Sequence, residues 1–170
     1  MKIINAHIIN FGKLHEVDFN FDENLNSFLH ENGWGKTTLS VFIKSMFYGM
    51  EHTTSKDITK NEKMKYSPWQ GGVYGGSLTF SHNEKKYKIN RTFSMKKNED
   101  TFELIDLKTN KKSSDFSSDL GTELFGIGRE TYGRSVHVTL DESPVGSNDI
   151  SAKLNNLIEA DDISNFDNAI

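Results

Sequence analysis

Apolar and polar residues alternate from the start of the chain. Ile3 to Phe11 is isoleucine-rich and closes on Gly12. His15 to Asp22 alternates strictly, with Val17, Phe19 and Phe21 on one face and polar or charged residues on the other. A period of two predicts strands of a sheet with one wet face. Asp22 to Asn24 is rich in turn formers, and Leu25 to Leu29 predicts a third short strand. The period then changes. From Thr37, Leu39, Phe42, Ile43, Met46 and Phe47 fall on one helical stripe, with Gly49 where a C-terminal glycine cap belongs.

Residues 51–72 carry no period and include Pro68 and the pair Gly71-Gly72, which predicts a long surface loop. Gly76–Ser81 and Tyr87–Phe93 flank a turn at His82-Asn83 and predict a hairpin, with a further strand over Phe102–Leu107. Leu120, Leu124 and Phe125 predict a helix stopped at Gly126, and a second short helix covers Arg129–Val136. Asp141–Gly146 predicts a loop. From Asn148, Ile150, Leu154, Leu157 and Ile158 form an amphipathic stripe that runs on towards Ile170.

Composition narrows the class. Twelve phenylalanines and 35% hydrophobic residues supply a core, and the lack of cysteine excludes disulfides and thiolate metal sites. No apolar run approaches the roughly 18 residues a membrane helix needs, so a cytoplasmic protein without membrane partners is expected. The net charge of −4 hides an asymmetry: residues 56–112 hold 13 lysines and arginines against 7 acidic residues. That segment either meets phosphate backbone or another acidic partner, or its lysines solvate hairpin edges and turns. The six histidines show no metal-ligand spacing.

The chemistry concentrates in His30-Glu-Asn-Gly-Trp-Gly-Lys-Thr-Thr38, close to the G-x-x-x-x-G-K-[ST] phosphate-binding loop. Gly33 and Gly35 let the backbone turn its N–H groups towards a β-phosphate. Lys36 supplies a cation for the β- and γ-phosphate oxygens, and the Thr37 hydroxyl is placed to bind Mg²⁺. The following helix points its positive end at the anion. His30 stands where the first glycine is usual, which predicts a strained or reshaped start to the loop. The expected ATP site is Asn32, Gly33, Trp34, Gly35, Lys36, Thr37 and Thr38.

With those residues in hand, the chain resembles the N-terminal lobe of SMC-like, coiled-coil ABC ATPases, close to the ATPase of the double-strand-break repair nuclease complex. Asn10-Phe-Gly-Lys13 resembles the group's opening motif, and Asn32 to Leu39 resembles its loop. Tyr66-Ser-Pro-Trp-Gln-Gly-Gly72, Gly75–Phe80, Tyr87–Phe93 and Leu124–Tyr132 extend the resemblance over most of the chain. It implies a P-loop NTPase lobe of α/β class, a mixed sheet with antiparallel β hairpins around the P-loop helix, and C-terminal helices leading to a coiled coil. It also implies basic positions near the nucleotide at Lys13 and Arg91. Trp34 is expected exposed or packed on a neighbouring lobe, with contact to a partner head as the other reading. Trp69 is expected to pack as a lid or to stack on adenine.

Three departures qualify the likeness. Leu140 stands where the family has a glutamine, Gln70 being the chain's sole glutamine and too early. No L-S-G-G signature occurs, and Asp141-Glu142 fits that glutamine region better than a Walker B motif. The expectation is therefore an ATPase lobe over residues 1–147 with the start of a coiled coil at 148–170, as a fragment, a shortened chain or half of a split gene. Signature and Walker B would come from a C-terminal lobe, and a second head would join on ATP binding. DNA and a nuclease subunit are implied partners, in repair, maintenance or defence. Two rivals stand beside this: a catalytically inactive nucleotide-sensing scaffold, and a P-loop small-molecule kinase, which the hairpins after the first helix disfavour.

Overall fold

The two hydrophobic periods meet face to face in a computed structural model that describes residues 1–135. β1 (Lys2–Phe11) turns through Gly12-Lys13 into β2 (Leu14–Asn20). On its other side β1 pairs with β3 (Gly75–His82), which continues through β4 (Lys85–Thr92), β5 (Thr101–Asp106) and the two-residue β6 (Lys111–Lys112). The sheet order is β2-β1-β3-β4-β5-β6, with every neighbouring pair antiparallel. Among the described residues the expected mixed sheet is thus wholly antiparallel.

The strand expected at Leu25–Leu29 does not form. Asn26 accepts from the Asp22 N–H at 2.7 Å and donates back to the Asp22 carbonyl at 3.1 Å, closing a side-chain turn. Leu25 and Leu29 are left 87% and 94% exposed. No strand pairs with the segment among the described residues, and apolar character alone does not make a strand.

The helix expected from Thr37 is α1 (Lys36–Tyr48), ending at Gly49, whose N–H caps onto the Ser45 carbonyl at 2.8 Å. Its stripe of Leu39, Phe42, Met46 and Phe47 is buried with Ala6 and Ile8 of β1, Leu78 and Phe80 of β3 and Ile89 of β4. Each of the Leu, Ile, Phe and Met side chains contributes about 1.5–3 kcal/mol of burial. α3 (Leu120–Phe125) and α4 (Arg129–Ser135) follow the sequence pattern, and Phe125 meets Phe47 edge-on at 5.3 Å. Val136, Leu140, the 141–146 loop and the helix from Asn148 lie outside the described residues.

Residues 51–72 are more structured than their composition predicts. They contain α2 (Glu62–Lys65), with Asn61 capping it through the Met64 N–H at 3.1 Å. Four residues are too few for a helical period to show in sequence. Lys63 is 2% exposed and donates to both Asp100 carboxylate oxygens and to the Ser94 carbonyl, each at 2.7 Å. Glu62 receives Lys44 of α1 at 3.0 Å and Arg129 of α4, so three helices share one carboxylate.

Arg91 is the largest correction. It is 7% exposed and lies at the last turn of α1, donating through Nε to the Met46 carbonyl at 3.0 Å and through Nη2 to Phe47 and Ser118. Its guanidinium also sits 4.4 Å from the centre of the Phe102 ring. Burial pulls its pKa down to about 10. α1 rises about 1.5 Å per residue, so Arg91 stands on the order of 20 Å from the loop at the helix start. The expectation that it stands near the nucleotide does not hold.

Replacing Arg91 by Met keeps the apolar stem and strands several buried carbonyls. We expect Arg91→Met to lower unfolding free energy by about 2–4 kcal/mol. An unchanged urea midpoint would remove Arg91 from the frame of the fold.

Candidate functional site

The site grows from the end of the β1–β2 hairpin and the start of α1. After Glu31 the backbone makes a tight turn, with the Trp34 N–H on the Glu31 carbonyl at 3.3 Å. Gly33 at φ 82° and Gly35 at φ 123° then take conformations that side chains rarely adopt. A Cβ on Gly33 would meet nothing within 4 Å, so that side of the loop is open. A Cβ on Gly35 would come within 3.0 Å of Leu14 Cδ2, so the loop rests directly on β2.

α1 begins without a polar lid. Gly35 occupies its N-cap, no side chain caps the first turn, and the first turn holds no acidic residue. Its first N–H groups have no intrahelical partner, as in helix ends that bind anions. Lys36 is exposed, and its Nζ donates to the carbonyls of His30 at 2.6 Å and Glu31 at 3.1 Å. The loop's own backbone therefore carries the ammonium over the cradle. Thr37 is exposed beside it, whereas Thr38 is buried under the hairpin turn, its Cγ2 3.1 Å from where a Gly12 Cβ would stand.

Lys13 joins this group. Its Cε lies 3.7 Å from the Cβ direction of Gly35, and with residues 29–34 it lines an open cleft of about 700 Å³. Of the positions expected to touch ATP, Asn32, Gly33 and Trp34 line this cleft, Lys36 and Thr37 are exposed at the adjoining start of α1, and Gly35 and Thr38 are buried. These residues fit a nucleotide triphosphate with a divalent cation. Two glycines at positive φ shape the loop, the helix start after it has no side-chain cap, and an exposed lysine and hydroxyl stand there.

Trp34 is placed differently from expectation. It is half-buried against its own chain, edge-on to Phe19 at 5.8 Å and stacked on the His30 ring at 3.9 Å with 7° between the planes. His30 carries no left-handed φ, so the missing glycine leads to an aromatic pair rather than to strain. This pair, and Leu14 as the buttress under Gly35, escaped the sequence reading. The available signal was two aromatic side chains four residues apart across a turn.

A second layer surrounds the loop. The Gly12 N–H donates to the Tyr66 carbonyl at 2.6 Å, and Tyr66 stacks on Phe11. Asn10, 4% exposed, accepts from Gln70 Nε2 at 2.9 Å and donates to the Val73 carbonyl at 3.0 Å. Trp69 is 87% exposed and does not pack as a lid. Leu140 and Asp141-Glu142 lie outside the described residues. Among the described residues no three metal-ligating side chains gather, and no helix is long and apolar enough to cross a membrane.

Comparison with known proteins adds a family. A family model described as an AAA domain matches residues 6–169. The chain is also similar to the uncharacterized protein YhaN of Bacillus subtilis (strain 168), 37% identical over 94 residues. That match covers 54% of this chain and 9% of YhaN, so the chain spans a small part of this relative's length.

The glycine geometry orders two substitutions. Gly33→Ala meets only the left-handed backbone and costs about 1 kcal/mol. Gly35→Ala adds the collision with Leu14 and costs about 1–3 kcal/mol. Urea unfolding of both variants measures the order, and a reversed order would contradict the seat of the loop on β2.

Proposed function

The chain belongs to the AAA domain family, and from that premise we propose that residues 30–38 grip ATP with Mg²⁺ as one half of an SMC-like ATPase head. One observation carries the reading: two left-handed glycines, an uncapped helix start and a lysine held over the loop coincide at one point of the fold. An AAA domain is a nucleotide-binding domain, and this point is the place in the described residues that suits a triphosphate.

Each residue has a physical task. The amides around Asn32, Gly33, Trp34 and Gly35 offer hydrogen bonds to phosphate oxygens while the α1 dipole favours their charge. Lys36 exchanges its two carbonyl contacts for β- and γ-phosphate oxygens, a stronger, charge-assisted bond. Thr37 presents its hydroxyl to the cation, and Lys13 adds charge across the cleft. Bound Mg²⁺ would neutralise phosphate charge and orient the terminal phosphoryl group. Thr38 holds the helix start under Gly12, and the Trp34–His30 stack keeps the loop closed on the sheet.

Residues 1–147 would form the N-terminal lobe and 148–170 the start of a coiled coil. Hydrolysis would need a carboxylate base and a signature motif from a C-terminal lobe or a second head, the two heads closing on ATP. DNA and a nuclease subunit are the implied partners of such a machine, acting in the cytoplasm in repair, maintenance or defence. The family match and the likeness to part of the much longer YhaN support a lobe that works within a larger assembly.

Titration calorimetry with ATP, with and without Mg²⁺, tests the grip. Binding should strengthen with Mg²⁺ and weaken at least about tenfold in Lys36→Ala, with an unchanged far-ultraviolet spectrum. Turnover by the isolated chain should be negligible. Turnover that is linear in chain concentration and vanishes in Lys36→Ala would overturn the incomplete site.

A further inference from the structure

Asn32-Gly33 is the only asparagine–glycine pair in the chain. Both residues are exposed and line the open cleft of about 700 Å³, where water and base have access. Asparagine is a thermolabile residue, because the next backbone nitrogen can attack its side-chain amide carbon. Glycine, having no Cβ, leaves that nitrogen unshielded.

The loop removes the usual obstacles to this attack. Among the described residues the Asn32 side chain makes no hydrogen bond, and the Gly33 N–H has no acceptor. Gly33 stands at φ 82°, and a Cβ there would meet nothing within 4 Å, so the space beside it is open. Asn26-Ser27 supplies the contrast. Its side chain is tied at both ends, accepting from the Asp22 N–H at 2.7 Å and donating to the Asp22 carbonyl at 3.1 Å.

We propose that Asn32-Gly33 is a site of spontaneous deamidation that closes an empty loop to phosphate, and that bound nucleotide protects it. Hydroxide takes the Gly33 N–H proton, and the nitrogen bonds to the Asn32 side-chain amide carbon. The bond from that carbon to Nδ2 breaks, and Nδ2 takes up a proton and leaves as ammonia. Water then opens the cyclic imide. Cleavage at the side-chain carbon leaves aspartate at position 32, and cleavage at the main-chain carbonyl leaves isoaspartate. Both products place a negative charge one peptide from the Glu31 carbonyl that accepts Lys36 Nζ, where it repels phosphate and competes for that cation. Isoaspartate also lengthens the backbone by one carbon ahead of Gly33, which misplaces the amides of the cradle. The protection rests on the reading of the loop as a nucleotide grip: an N–H donating to phosphate, beside that negative charge, gives up its proton less readily.

Incubation of the chain at mildly alkaline pH, followed by peptide mass analysis and calorimetry, tests this. The Asn32 peptide should acquire aspartyl and isoaspartyl forms well ahead of the Asn26 peptide, and Mg·ATP or Mg·tripolyphosphate should slow the conversion. The aged chain and fresh Asn32→Asp should each bind Mg·ATP at least about tenfold more weakly than fresh wild type. Asn32→Gln should keep its own starting affinity through the same incubation, because its longer side chain closes the ring far more slowly. Conversion at Asn32 no faster than at Asn26, conversion indifferent to bound Mg·ATP, or undiminished affinity in the aged chain and Asn32→Asp would overturn the proposal while leaving the grip standing. Fresh wild type that binds neither Mg·ATP nor Mg·tripolyphosphate would overturn the loop reading and the protected site with it.

Discussion

An α-helix leaves donors unpaired at its start and acceptors unpaired at its end, and the treatment of the two ends of α1 organises this fold. At the end, Arg91 is drawn out of water to cover the carbonyls of Met46 and Phe47 and to tie in Ser118. The cost of desolvating that cation shows in its lowered pKa, and is offset by the helix dipole, the carbonyls and the face of Phe102. At the start, no side chain caps the amides. One end is closed by a buried side chain, whereas the other carries no side-chain cap.

The open end is held in place by segments far apart in sequence. Leu14 of β2 supports Gly35, Gly12 touches both Thr38 and Tyr66, and Asn10 gathers Gln70 and Val73. The antiparallel sheet supplies the common base, because β1 ends and β3 begins at the same edge. A loop built on such supports keeps its shape, which is what a phosphate cradle requires. The Trp34–His30 stack adds a local clasp where a glycine is usual.

Legibility followed length and periodicity. β1, β2, the β3–β4 hairpin and α1 were readable because each repeats its pattern over at least seven residues, long enough to separate a period of two from one of 3.6. α2 was hidden because four residues cannot show a period, and its stability comes from Lys63, Asp100 and Asn61. Leu25–Leu29 was misread because apolar residues report a need for burial, whereas a strand also needs a neighbour. Arg91 was misread because a basic residue in a strand declares its charge and not the end of the helix it will meet.

The sequence by itself determined the chemistry of the site and the order of its parts: a glycine loop, a lysine, two threonines and an amphipathic helix, because these depend on residue type and spacing along a few adjacent turns. Tertiary structure decided what surrounds them. It put Lys13 beside the loop, turned Trp34 inward onto Phe19 and His30, sent Arg91 to the far end of α1 and left Trp69 facing solvent. Those placements depend on which strands pair and which helix face is buried. They are settled by packing over the whole sheet, which no local stretch of sequence contains.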